Sequence, residues 1–227
     1  MQKINNVASP SQNYFGASEL KEFNVGFIPH KSGTYRIEID DVIHEVAQFS
    51  TAIQVLEAAK EDDEVEILLQ TDGGNMNATD SLLHAMRKCE APIHVVATGG
   101  VHSAGTYILL QADSFELSDS FCSLLHCGGD GAVGNANEYR AKSSFDLEFR
   151  TRKFREGYEG FLTEKEITDM LDGKDIWLDA KGWYERSLKR MEYFSKKHEA
   201  MEKEAQKASR PKRVKPKAVQ SVTNPAA

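Results

Sequence analysis

The sequence predicts an α/β domain with a largely parallel central sheet. Short strand-like segments alternate with segments of helical periodicity, short turns separate them, and two of the strand-like segments run through glycines straight into a helix. Alternation of that kind is the pattern of sheets whose strands are joined by helical crossovers.

The regular pattern begins at Thr34. Tyr35-Arg-Ile-Glu-Ile-Asp40 alternates apolar and polar residues, as a half-buried strand does. From Val46 to Lys60, Val46, Phe49, Ile53, Leu56 and Ala59 fall at steps of three and four and predict an amphipathic helix. Val65 to Gln70 reads as a strand ending in a Gly73-Gly74 turn, followed by a helix over about Ala78 to Lys88. Ile93 to Ala97 is a continuous apolar run, expected as a buried strand, and a glycine turn leads into an apolar helix over Ala104 to Gln111. Short strands are expected at Ser114 to Leu117 and Cys122 to Leu125, a long polar helix over Asn137 to Arg155, and a shorter one over Thr163 to Leu171. Thr163 and Glu166 have the spacing of a capping box. Leu188, Met191, Phe194, His198, Met201 and Ala205 predict one more helix with a narrow apolar stripe.

Four regions follow: a loop-rich arm over 1–30 in which Phe23 to Ile28 could form a short strand, a main domain over 31–187, a helix over 188–206, and a basic tail over 207–227. Pro211, Pro216 and Pro225 exclude a continuous helix in the tail, which is expected to be disordered.

The net charge of −7 conceals an asymmetry. Lys207 to Lys217 hold six basic residues and no acid, leaving 22 basic against 35 acidic residues elsewhere. An acidic body with a short basic tail does not suggest a nucleic-acid-binding domain. No apolar run approaches the ~18 residues that span a bilayer, and Met1 to Gln12 lack the apolar centre of a signal peptide. Three cysteines (Cys89, Cys122, Cys127) form no disulfide framework, so a soluble protein of the reducing cytoplasm is expected.

The chemistry gathers at the two glycine turns. Each places backbone N–H groups where a helix begins, and such groups receive negative charge. Ser103, in Gly99-Gly-Val-His-Ser103-Ala-Gly105, stands at the start of the second helix. Its hydroxyl can attack a carbonyl while the N–H groups of Ala104 and of Gly73 or Gly74 receive the oxyanion. A serine at a helix start is ordinarily an N-cap, however, and the pattern alone favours that. A base is also needed. His126 ends the apolar segment Cys122 to Leu125 and precedes Cys127-Gly128-Gly129, where it can face a cleft. His102 is the serine's neighbour, but adjacent side chains at a helix start diverge. Zinc on Cys122, His126 and Cys127 lacks a fourth ligand, so no metal is expected. Asp172, Asp175 and Asp179 are equal rivals for the acid that would orient the histidine.

Taken together, these segments resemble the ClpP family of self-compartmentalised serine peptidases over about Thr34 to Leu188. Thr71-Asp-Gly-Gly74 is similar to the family's Ser-Pro-Gly-Gly segment, and Gly99 to Gly105 to its Gly-x-Ala-Ser-Met-Gly turn. Leu125-His126 before Gly128-Gly129 resembles its histidine strand, and Asp175-Ile-Trp-Leu-Asp-Ala180 its Asp-x-aromatic-Leu-Ser-Ala segment, with separations close to the family's. The resemblance implies a fold of repeated β-β-α units with a helical handle, here residues 137–155. It implies a catalytic triad of Ser103, His126 and Asp175, an oxyanion hole at Gly74 and Ala104, and substrate pairing along Gly73, Asn75 and Met76 and along Cys127 and Gly128. It further implies stacked, heptameric rings that enclose a chamber, unfolded polypeptide as substrate, an ATP-dependent AAA+ unfoldase as partner, and no cofactor.

Several residues depart from the pattern. Asp72 replaces the proline before the double glycine, and Ala104 replaces the methionine after the serine. The loop after His126 is shorter, and Gly182-Trp-Tyr-Glu-Arg186 does not match the family's closing Gly-Leu-Val-Asp strand. The C-terminal helix and tail are additional. These departures suit a divergent, phage-encoded member. Competing readings are a virus head-maturation peptidase with the same chemistry, an acyl-CoA enzyme of the related crotonase fold, and an inactive ring or scaffold subunit.

Overall fold

The computed structural model describes residues 2–3, 23–28, 33–129 and 135–209. Most of the expected N-terminal arm, and the tail from residue 210, lie outside the described residues. Among the described residues eight strands form one mixed sheet: β1 (Gln2–Lys3), β2 (Val25–Ile28), β3 (Thr34–Ile39), β4 (Glu64–Thr71), β5 (Ile93–His102), β6 (Ser114–Leu117), β7 (Cys122–Leu125) and β8 (Ile176–Asp179). The order is β1-β2-β3-β4-β5-β7-β8, with β6 beside the first half of β5 and β7 beside its end. The centre, from β3 to β7, is parallel, and the two flanks are antiparallel.

Parallel neighbours need crossovers, and helices supply them. A 3₁₀ turn (Val46–Phe49) continued by α1 (Ser50–Ala58) links β3 to β4, and α2 (Met76–Lys88) links β4 to β5. After β5 come α3 (Ala104–Gln111), α4 (Ala136–Gly157), α5 (Glu164–Leu171) and α6 (Ala180–Ser209). The core forms where these helices meet the sheet: Ile37, Ile39, Val65, Ile67, Leu69, Val95 and Ala97 from the strands pack with Leu56, Leu82 and Ile108 from the helices, all essentially inaccessible.

Three differences from the sequence reading have physical causes. Gly99 and Gly100 stay within β5, which continues to His102, because the pairing with β4 shifts register between Leu69 and Thr71 and the extra residues are absorbed as a bulge. Ile176 to Asp179, read only as a motif, form a strand because they close the sheet edge against β7. Finally, the last helix begins at Ala180 rather than Leu188. Trp183, in its first turn, is fully buried against Phe121 and Phe161 and so anchors that turn to the domain.

A second tie holds the helical side together. Thr163 caps α5 in the expected box with Glu166, and Glu166 also receives Arg186 of α6 at 2.6 Å. The Arg186 guanidinium holds the Glu166 carboxyl down at about 2.

Candidate active site

Ser103 occupies the single residue between β5 and α3, with φ 51° and ψ −120°. Among the described residues it is the one non-glycine with positive φ, a conformation that persists only where the surroundings over-determine it. Here they do. The Ser103 amide donates to the Leu124 carbonyl at 2.7 Å, and the Ser103 carbonyl accepts from the Thr106 amide at 3.0 Å and the Thr106 hydroxyl at 2.6 Å. That hydroxyl lies 2.7 Å from the buried Tyr158 phenol, which burial pushes up to about 12. Although Ser103 stands at the N-cap position of α3, its side chain makes no capping hydrogen bond. The ordinary explanation for a serine there is therefore excluded, and the first-turn amides of α3, Ala104 N–H included, are not capped by it.

The β4–α2 turn is built against this corner. The Gly73 amide donates to the Thr71 hydroxyl at 3.0 Å, and Thr71 donates in turn to the Asp41 carbonyl at 2.7 Å. Gly73 has φ +85°, and a Cβ there would lie 2.5 Å from the His102 carbonyl oxygen and 2.8 Å from both the Ala104 nitrogen and the Ser103 Cβ. Only glycine fits. Ile43 lies along the turn's other side, donating to the Gly73 carbonyl at 2.8 Å and accepting from the Asn75 amide at 2.7 Å. In that parallel bridge the N–H of the intervening Gly74 is directed away from Ile43. Asn75 then caps α2, accepting from the Asn77 and Ala78 amides.

Ser103, Ala104, Gly74 and His126 all line one cavity of about 780 Å³. Its walls also include Asn75, Met76, Cys127 and Gly128; Gly73 sits behind Gly74 and does not reach it. His126 is half-buried at the first position beyond β7. Asp175 is exposed, immediately before β8, and does not line the cavity. The strand register nevertheless relates the two residues. The last β7–β8 pair is Leu125 with Ile176, so His126 and Asp175 occupy the next antiparallel position and project to the same side. Among the described residues, no hydrogen bond joins Ser103 Oγ to His126 or His126 to Asp175. Of the rival acids, Asp172 is the C-cap of α5, and Asp179 accepts from the Gly182 amide at 2.8 Å in the first turn of α6.

The sequence reading missed the far wall. Phe149, Arg150, Lys153 and Phe154 of α4 face the cavity with Tyr107 of α3 and Tyr158. Lys153 reaches both carboxylate oxygens of Asp80 at 3.0 and 2.9 Å, and Arg150 donates to the Cys127 carbonyl at 3.3 Å, pinning the loop after His126. The available signal was the four-residue spacing of Phe145, Phe149 and Lys153 in an otherwise polar helix. Tyr107 is buried with its hydroxyl unpartnered, and burial raises its phenol well above the ordinary range.

Among the described residues no helix is long and apolar enough to cross a membrane. All three cysteines are free thiols.

A strand-turn-helix corner with an uncapped serine, a neighbouring double-glycine turn and a histidine at the next strand's end defines an α/β protein of the ClpP fold type. The family model of the Clp protease matches residues 36–142, which hold that corner, Gly74 and His126. Among solved structures, a point mutant of ClpP1 from Listeria monocytogenes shares the fold, with a TM-score of 0.53 and 20% identity over 66% of this chain and 86% of that one. No curated protein sequence matches the chain.

Proposed function

We propose that the chain is a serine endopeptidase. Ser103 attacks the peptide carbonyl, His126 takes the serine proton and returns it to the leaving amine, and Asp175 holds the imidazole tautomer. The N–H groups of Gly74 and Ala104 receive the oxyanion. An extended substrate pairs with the Gly74 to Met76 segment on one side, the turn being shaped by Gly73 behind it, and with Cys127 and Gly128 on the other. The observation that carries the reading is Ser103 itself: a strained residue at a helix start, its hydroxyl not spent on capping, in one cavity with His126 and Gly74. In the free enzyme the serine and histidine are not yet hydrogen-bonded; such contacts commonly tighten only when substrate is bound.

The match to the Clp protease family model supports the wider setting. On this reading the subunits assemble into stacked rings with α4 joining them, the chamber receives unfolded polypeptide, and an AAA+ unfoldase of the cytoplasm delivers it. Denatured polypeptide and a fluorogenic peptide should both be cleaved by the wild-type chain, with Ser103→Ala lowering the rate by roughly 10³-fold or more while assembly is retained. Cleavage unchanged in that variant overturns the assignment. The open Ser103–His126 contact favours one second reading, an inactive ring or scaffold subunit, for which neither substrate is cleaved.

A further inference from the structure

We propose that Cys122, His102 and Asp72 form a second reactive centre, in which Cys122 undergoes thiol–disulfide exchange with small disulfides. The His102 ring is the hub. Its Nε2 lies 3.6 Å from Cys122 Sγ, and its Nδ1 lies 3.7 Å from an Asp72 carboxylate oxygen. With the Nδ1 proton facing Asp72, Nε2 is free to accept the thiol proton, so the line carboxylate–imidazole–thiol has the polarity of an activated nucleophile.

The backbone is arranged for it. Cys122 is paired across β5 and β7 with Gly100, and His102 stands two residues further along β5 on the same face. A Cβ at Gly100 would lie 2.9 Å from His102 Nε2. The glycine thus leaves the space through which the ring reaches the thiol. Trp177 of β8 closes the other side of the ring edge-on at 5.6 Å. Beyond Asp72, His126 is the other titratable group that acts on this ring, and burial holds the imidazole below its ordinary value, which keeps it neutral and able to accept a proton. Cys122 is solvent-exposed, so a disulfide can approach it. The three side chains stand in a line rather than a cage: among the described residues no three His, Cys, Asp or Glu side chains converge on a metal-sized point.

The step balances. The Cys122 thiol proton passes to His102 Nε2, and the sulfur attacks one sulfur of the incoming disulfide. The new Cys122–S bond forms as the old S–S bond breaks, and the departing thiolate takes the proton from His102. Cys122 is oxidised to a mixed disulfide, and the other half of the reagent is reduced to a thiol. Asp72 also lines the Ser103 cavity, whereas neither Cys122 nor His102 does.

The probe is an aromatic disulfide whose released thiol absorbs visible light, used on the full-length chain. One fast thiol is expected, mapped to Cys122 by mass spectrometry and lost in Cys122→Ser. His102→Gln should slow that phase roughly tenfold near neutral pH and turn its pH profile into that of a free thiol, with rate still rising toward pH ~8.5. A merely structural loss would not produce that change in profile. Asp72→Asn should give an intermediate rate, and all variants should keep the wild-type far-ultraviolet circular dichroism. Mapping of the fast thiol to Cys89 or Cys127, or an unchanged profile in His102→Gln, overturns the proposal.

Discussion

The amide of Ser103 is hydrogen-bonded to the carbonyl of Leu124 at 2.7 Å, which fixes the serine two residues short of His126 on the neighbouring strand. Residues 23 positions apart in sequence are thereby brought to one corner by a backbone bond, without help from either side chain.

That bond, with the two from Thr106, holds Ser103 at φ 51°. Glycine adopts this conformation without penalty, whereas alanine does not. Ser103→Gly should therefore be more stable than Ser103→Ala by about 1 kcal/mol, the balance of released strain and added unfolded-state entropy. Calorimetry of the two variants, with a melting difference of roughly 2–4 °C, is the check.

Gly73 should tolerate nothing larger. An alanine would place its Cβ 2.5 Å from the His102 carbonyl, at φ +85°. Both the clash and the strain oppose it. Gly73→Ala is expected to cost more than about 2 kcal/mol in urea unfolding and to abolish peptidase activity. The exposed Gly129, where a Cβ meets nothing within 4 Å, should accept alanine without loss of stability.

Asp175 follows His126 in the antiparallel register but lies at the surface. Asp175→Asn should lower kcat by roughly 10²–10⁴-fold with little change in KM, the signature of a residue that orients the base. Asp172→Asn, at the end of α5, should leave both constants near wild type. Equal effects of the two substitutions would remove Asp175 from the proposed triad.

The Glu166–Arg186 pair predicts an acid-side stability difference. Glu166 is held at about 2 against an ordinary 4.5, so it binds fewer protons folded than unfolded over that interval. Its contribution is complete above pH 4.5, declines as pH falls, and is gone near pH 2. Glu166→Gln should be less stable than wild type by roughly 1 kcal/mol at neutral pH, allowing for solvent screening. The gap should close across that window in denaturant titrations.

Much of this architecture was legible because it rests on local patterns. Alternation marked β3, three- and four-residue steps marked the 3₁₀ turn and α1, and the Thr163–Glu166 spacing marked a cap that the structure contains. The corner at Ser103 was legible as glycines around a serine before an apolar helix. What was not legible depends on pairing. The extension of β5 through Gly99 and Gly100 is visible only in its register with β4, and β8 exists because β7 offers it an edge. His102 was set aside on the argument that neighbours diverge, and it does turn from Ser103; no local rule could show that it turns toward Cys122, 20 residues further on. The α4 wall was hidden because helix spacing reveals a face, not what the face covers.

Labelling with a fluorophosphonate tests the central claim most directly, since it requires an activated hydroxyl, a base and an oxyanion site at once. The account predicts one modified residue per chain, Ser103, with labelling strongly reduced in His126→Ala. An unlabelled chain that is folded and assembled, or a label on another serine, would contradict it.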